Sequence, residues 1–353
     1  MTQRAQSFIK IKTMKTISND GNVVIPPYDQ DPRLSKEVRE FLKALNAPGN
    51  VAIESMPPLE ARKVLENAQL SVPIDMSGIE ESERTINADG YEIVLNIVRP
   101  EGMRGVLPVF IFIHGGGWLL GDYPTHKRMV RDLVVLSGVA GVFVNYTRTP
   151  DAAYPQAINE IYAATKWVAE NGQEINVDGK RLAIAGNSVG GNMTAVTTLK
   201  AKENNGPEIK LQIMMWPIVD ANFDTYSYQR FGQERFLTTP LMKWFYDMYI
   251  PDPKRRNVIY ASPLQATKEQ LAGLPHALIQ VAENDVLRDE AEAYGRKLDE
   301  AGVRTTVVRY NGMIHDFGLL NPLAYIHPTR SLFEHAAAEL RNHLIKTDNN
   351  LGN

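Results

Sequence analysis

The chain has 353 residues, with 41 Asp and Glu against 38 Lys and Arg and a net charge of −3. That balance argues against a nucleic-acid or anionic-membrane partner, and the absence of cysteine excludes disulfides, Cys-ligated zinc and a thiol nucleophile. A chain of this length can bury a core without staples, and 44% hydrophobic with 22% charged residues is the composition of an ordinary globular protein.

The first ten residues, Met1 to Lys10, lack the apolar stretch that heads a secretory signal, so a cytoplasmic chain is expected. Residues 1 to about 35 are polar, with turn formers at Asn19-Asp20-Gly21-Asn22 and Pro26-Pro27. Helical spacing follows over Ser35–Leu45 (Val38, Phe41, Leu42, Leu45) and Pro58–Leu70 (Leu59, Val64, Leu65, Ala68). Residues 1–70 therefore read as a helical segment ahead of the main fold, which takes residues 71–350. From about residue 83 strands and helices alternate. Strands are expected at Arg84–Ile86, Tyr91–Val98, Val109–Ile113, Val139–Tyr146, Arg181–Ala185, Leu211–Trp216, Ala277–Ala282 and Thr305–Tyr310. Helices are expected at Ala157–Asn171, Gly191–Lys202, Glu290–Ala301 and Thr329–Ile345. This is the pattern of an α/β fold, a mostly parallel sheet with helices on both faces. Its first two strands form an antiparallel edge joined near Asp89-Gly90. Residues 217–260 interrupt the alternation with no strand signal and one helical segment, Leu241–Tyr249, rich in Met and aromatics. An insertion of that length is a candidate lid. The longest apolar run, about Val106 to Ile113, is far too short to span a membrane.

The chemistry gathers around Ser188. The strand Leu182–Ala185 runs straight into Gly186-Asn187-Ser188-Val189-Gly190-Gly191, and a helix with apolar Met193, Val196 and Leu199 follows. Strand, sharp turn and helix is the setting a Gly-x-Ser-x-Gly nucleophile needs. The glycines let backbone pass where a Cβ would clash, and the helix N-terminus favours a developing oxyanion. Alone, the segment is also compatible with a chance glycine loop. A second element, His114-Gly115-Gly116-Gly117-Trp118, directly follows the strand Val109–Ile113. Its glycines can aim two N–H donors at a tetrahedral oxyanion, with the Val189 N–H as a third. The bland alternative is a tight structural turn; a phosphate cradle would end in Gly-Lys-Ser/Thr, which is absent.

Seven histidines compete for the role of base. His114 belongs to the glycine loop, His126 to a helix-like stretch, His276 opens a strand, His327 precedes Pro328, and His335 and His343 lie in the last helix. Surface or packing roles fit all of these. His315 differs: it lies in Gly312-Met313-Ile314-His315-Asp316-Phe317, in a loop at the C-terminal end of a strand, where α/β sites collect. For the acid, Asp285 lies just beyond the strand Ala277–Ala282, with Glu283 as the fallback. Asp289 and Glu290 read as helix N-terminal residues that complement the dipole. The chain order Ser188, Asp285, His315 is that of the α/β-hydrolases. Met214, Met215, Trp216, Phe245, Tyr246 and Met248 are candidates for an acyl pocket, with plain core as the alternative. No metal-binding set and no Gly-x-Gly-x-x-Gly dinucleotide motif is visible, so no cofactor is expected.

The segments His114–Trp118, Gly186–Gly191, Asp285–Glu290 and Gly312–Phe317, with Ala261-Ser262-Pro263-Leu264 and Leu274-Pro275, resemble the hormone-sensitive-lipase-like carboxylesterases, the bacterial family IV lipolytic enzymes. The resemblance spans about residues 70–345. It implies an eight-stranded α/β-hydrolase core with a helical cap made of the N-terminal segment and residues 217–260. It also implies Ser188 as nucleophile, His315 as base, Asp285 as the orienting acid, and the Gly116, Gly117 and Val189 amides as the oxyanion hole. His114 would shape the loop rather than react. Three residues depart from the pattern. Asn187 stands where Asp, Glu or Thr is usual, which removes a charge near the triad and changes how the neighbouring loop is anchored. Val189 stands for Ala, a bulkier neighbour for the pocket. Val286 replaces a proline and relaxes the turn after the acid.

The implied reaction is hydrolysis of short- to medium-chain carboxylic esters through an acyl-enzyme, with a small-molecule ester as partner and a homodimer compatible with the resemblance. Two alternatives stay open at this point: an amidase or peptidase on the same scaffold, which needs the same residues, and a non-catalytic ligand-binding relative.

Overall fold

The computed structural model describes residues 26–345. The turn formers at 19–22, the polar N-terminus and residues 346–350 of the expected main domain lie outside the described residues. Two helices come first, α1 (Lys36–Leu45) and α2 (Pro58–Leu70). Ser35 caps α1, its hydroxyl accepting from the Val38 amide at 3.2 Å. The sheet then begins with β1 (Ile79–Ala88) and β2 (Tyr91–Pro100), antiparallel and joined at Asp89-Gly90. Both turn residues have positive φ, 49° and 85°, as a two-residue hairpin loop demands. β1 is longer than its sequence signal. It forms the exposed edge of the sheet, so Glu81 to Thr85 face water and no apolar alternation marks them.

The parallel part follows as β3 (Leu107–Ile113), α3 (Tyr123–Ser137), β4 (Ala140–Asn145), α4 (Gln156–Asn171), β5 (Val177–Asn187), α5 (Val189–Glu203) and β6 (Leu211–Met215). α3 was legible only as a helix-like stretch around His126, yet it carries plain boundary chemistry. An Asp122–Thr125 capping box opens it and Gly138, at φ 73°, closes it. The inserted segment holds α6 (Tyr226–Phe231) and α7 (Thr239–Tyr249), and the one-turn helix α8 (Lys268–Leu271) leads back to the sheet. β7 (His276–Asn284), α9 (Arg288–Glu300), β8 (Thr305–Ile314) and α10 (His327–Leu344) complete the chain.

All eight strands form one sheet in the order β1-β2-β4-β3-β5-β6-β7-β8. Pairing is antiparallel from β1 through β2 to β4 and parallel from there on. All seven residues of β3 are buried, as a central parallel strand covered on both faces requires. β8 runs four residues past the expected Tyr310, because a register shift opposite Ala282 and Asn284 carries the pairing on to Ile314. That extension delivers the next residue, His315, to the C-terminal edge of the sheet.

The layer over that edge is stitched to it. The Ser35 amide donates to Gly312 O at 3.1 Å, and Asn284 Nδ2 donates to Arg33 O at 3.2 Å. Fully buried Asp31 pairs with Arg235 of the insertion at 3.0 Å, joining the two covering segments. One carboxamide holds both feet of the insertion, since Asn192 Nδ2 donates to Ile218 O at 3.0 Å and Ala261 O at 2.9 Å. Among the described residues no helix is long and apolar enough to cross a membrane.

Candidate active site

β5 turns into α5 at Ser188, whose backbone is forced to φ 55°, ψ −121°. A Cβ on Gly186 would press on Gly190 O, and one on Gly190 would press on Ile113 O, so only glycine lets the turn close this tightly. The turn is pinned by the Ser188 amide donating to Met215 O at 2.9 Å and by the Ile218 amide donating to Ser188 O at 3.3 Å. The serine side chain is thereby raised above the strand ends.

The structure brings Ser188, His315 and Asp285 together, though 127 residues separate the first pair and 30 the second. Ser188 Oγ lies 3.0 Å from His315 Nε2, and His315 Nδ1 lies 2.8 Å from Asp285 Oδ2. All three side chains are buried. With the Nδ1–H donated to the carboxylate, Nε2 is free to accept the serine proton. Asp285 is itself fixed, because Oδ1 accepts from the Leu287 amide at 3.0 Å. Glu283, the fallback acid, is engaged elsewhere and accepts from the Gly312 amide at 2.8 Å.

Gly116 and Gly117 line the same cavity as Ser188, with φ of 106° and 64°. Val189 is fully buried and does not line the cavity, so its bulk does not crowd the pocket. Val286 is also buried, and its carbonyl accepts from Ser227 Oγ at 2.5 Å, which ties the acid loop to the insertion. His114 stacks on Tyr146 at 4.2 Å and on Phe143 at 5.4 Å. Burial pushes it well below the ordinary imidazole value, and burial brings His126 down to about 4. Neither suits a proton-accepting role near neutrality, and both pack the floor of the glycine loop. His276 and His343 bond each other at 2.9 Å, joining the start of β7 to α10. His327 and His335 also belong to α10.

Asn187 has a definite job. Its Oδ1 accepts from the Gly115 amide at 3.0 Å, and its Nδ2 donates to Asp316 Oδ1 at 3.2 Å. A carboxyl group does stand beside Asn187, but it belongs to Asp316, which was not singled out from the sequence although an acidic residue next to a candidate base was a visible signal. The same Oδ1 accepts from Trp216 Nε1 at 2.7 Å, while Oδ2 stands 3.9 Å from His315 Nε2. Trp216 thus holds Asp316 rather than lining a pocket. Asp289 and Glu290 do stand in the first turn of α9, and Glu290 has a further task. Fully buried, it accepts from the Val219 and Asp220 amides at 2.8 and 3.2 Å, and burial raises its carboxyl well above the usual range.

Burial disfavours a charged His315, but Asp285 and Asp316 outweigh it, and the imidazole lies above its ordinary value of 6.5. Burial likewise raises Asp316. A base must be neutral to accept a proton, so with His315 as the proposed base activity is expected to be lost as pH falls through the His315 value. In Asp316→Asn, Oδ1 keeps both of its donors and only the charge facing Nε2 goes. The acid limb of kcat/KM is expected to move to lower pH; an unmoved or upward-moving limb would show that Asp316 carries no charge there.

The cavity above Ser188 is about 170 Å³. Its walls come from Phe41 and Leu45 of α1, Leu65 of α2, and Phe236, Met242 and Phe245 of the insertion, and among its lining residues only Ser188, His315 and Asp316 bring polar side chains. Of the residues expected to line an acyl pocket, only Phe245 does so. Met214, Met215 and Trp216 are core, and the Tyr246 hydroxyl donates to Asp220 O at 2.9 Å.

A strained serine turn between a parallel strand and a helix, above a sheet of this order, defines an α/β-hydrolase. A profile of the alpha/beta hydrolase fold matches residues 110–319. A thermostable esterase of known structure from Pseudomonas putida is 56% identical, with a TM-score of 0.89 over 90% of this chain and 99% of that one. An alpha/beta hydrolase of Acanthamoeba polyphaga mimivirus is 37% identical over 293 residues, 82% of this chain and 83% of the relative. A carboxylesterase of Mycobacterium tuberculosis is 32% identical over 262 residues, 72% of this chain and 82% of the relative. The chain belongs to the α/β-hydrolase family, in its hormone-sensitive-lipase-like branch, and is a hydrolase of carboxylic ester bonds.

Proposed function

We propose that the protein cleaves short- to medium-chain esters through an acyl-enzyme on Ser188. The observation that carries this reading is the unbroken Asp285–His315–Ser188 hydrogen-bond chain at the floor of an apolar cavity. His315 takes the Ser188 proton as Oγ attacks the ester carbonyl, and Asp285 holds the imidazole in the required tautomer and stabilises the imidazolium. The carbonyl oxygen becomes an oxyanion, met by the Gly116, Gly117 and Val189 amides. His315 returns the proton to the leaving alcohol, and water then releases the acid by the same route. The N-terminal segment to residue 70 and residues 217–260 make the cap in this reading, which is supported by the cavity walls that α1, α2 and the insertion contribute. We also propose a homodimer, on the resemblance, and a cytoplasmic setting; sedimentation and cell fractionation test them.

The acyl length follows from volume. At about 170 Å³ the cavity is slightly larger than the ~150 Å³ engineered void that takes up benzene, so it holds an acyl chain of roughly six carbons. Each buried methylene contributes about 0.8 kcal/mol, roughly fourfold in rate where the contact is made in the transition state. Across p-nitrophenyl esters from acetate to palmitate, kcat/KM is expected to climb to about the hexanoate and fall beyond it; a maximum at palmitate would reject the size assignment. A fluorophosphonate should label Ser188 stoichiometrically, and no labelling would favour a binding protein. Matched ester and amide substrates separate the esterase from an amidase by their kcat/KM ratio.

A further inference from the structure

Helix α7 turns two faces to the site. Leu241, Met242 and Phe245 face the cavity. Tyr246 and Tyr249, one turn further along, meet Trp118, the residue at which the glycine loop leaves the site. The Trp118 indole stacks on the Tyr249 ring at 4.3 Å and 11° and meets the Tyr246 ring edge-on at 5.2 Å. Trp118 has φ 59°, a left-handed backbone that a bulky side chain adopts only where its surroundings enforce it. Its ring is buried, and neither Trp118 Nε1 nor the Tyr249 hydroxyl has a hydrogen-bond partner among the described residues. Ring packing is therefore what holds the indole. The next residue back, Gly117, is closed by the same helix, because a Cβ there would come within 2.4 Å of three Phe245 ring atoms.

We propose that Tyr249 is a positioning residue for the oxyanion donors: through Trp118 it fixes the Gly116–Gly117 amides, and α7 thereby couples filling of the acyl cavity to alignment of those donors. This rests on the serine-esterase reading above. An acyl group seated on Met242 and Phe245 bears on the same rigid helix whose next face carries Tyr246 and Tyr249. A misplacement of about 1 Å at such donors costs on the order of 100-fold in rate.

The test compares Tyr249→Phe with Tyr249→Leu. The first keeps the stacked ring and loses only an unpartnered hydroxyl, so it should match the unmodified enzyme. The second should lose about 10- to 100-fold in kcat with KM little changed. Its affinity for an alkyl boronic acid, which forms a tetrahedral adduct on Ser188, should fall by a similar factor. It should also lose most of the kcat gain between acetate and hexanoate esters. Trp118→Phe, which shortens the stack without removing it, should fall between the two. Unchanged kcat in Tyr249→Leu would overturn the proposal. So would a kcat loss with boronic-acid affinity intact, because general loosening or a partly unfolded population does that. Failure of the underlying reading shows separately, as absent fluorophosphonate labelling of the unmodified enzyme.

Discussion

Ser188→Ala is expected to lower kcat on a short p-nitrophenyl ester by about 10⁶-fold, the scale seen when a serine hydrolase loses its nucleophile. The fold should tolerate the change. The backbone of the turn is held by main-chain bonds to Met215 O and from the Asn192 and Ile218 amides, none of which involves the hydroxyl. The side chain makes one described hydrogen bond, to His315 Nε2, and losing such a bond costs about 1 kcal/mol of stability. Substrate affinity should also persist, because the walls of the cavity are apolar side chains of α1, α2 and the insertion. A large kcat loss with near-normal melting and KM is thus the signature of the nucleophile. Retention of hydrolysis within about tenfold of the unmodified enzyme would assign the chemistry elsewhere.

What the sequence disclosed about this site follows from how the residues are used. Ser188 and the glycine loop sit where backbone geometry admits few residue types. Glycines at 186, 190, 116 and 117 are required by close approach or positive φ, and such requirements leave a local mark. His315 and Asp285 stood out because each follows a strand whose apolar run is plain, and strand ends are where an α/β sheet gathers function. Asp316 and Trp216 form their bond across 100 residues, and a contact of that separation has no local pattern. The pocket walls were hard to pick for a related reason. On α7, helical spacing alone does not say which stripe faces the cavity and which faces Trp118, so Phe245 and Tyr246 looked equivalent although they face different neighbours. In the fold, buried strands such as β3 announced themselves, whereas β1, lying along a solvated edge, did not.

Asp316, the carboxyl group beside His315, makes Asp285→Asn an informative variant, expected to lose about 10⁴-fold in kcat, as when the orienting carboxylate is made neutral in another serine hydrolase. The amide has the shape of the carboxylate, and the Leu287 amide, which donates to Oδ1 at 3.0 Å, keeps an oxygen on that side. The new NH₂ group therefore faces His315 Nδ1 and donates to it. Nδ1 becomes an acceptor, and the imidazole proton moves to Nε2, where it points at Ser188 and blocks proton abstraction. Asp316 deepens the loss, since Oδ2, 3.9 Å from Nε2, favours a proton on that nitrogen. Adding Asp316→Asn to Asp285→Asn should therefore recover part of the lost rate, although in the unmodified enzyme the same change only lowers the His315 value. Nitrogen chemical shifts of His315 would report the tautomer directly. A single Asp285→Asn variant within about 100-fold of normal, or one whose His315 still carries its proton on Nδ1, would mean that Asp285 does not set the tautomer and that some other group orients the base.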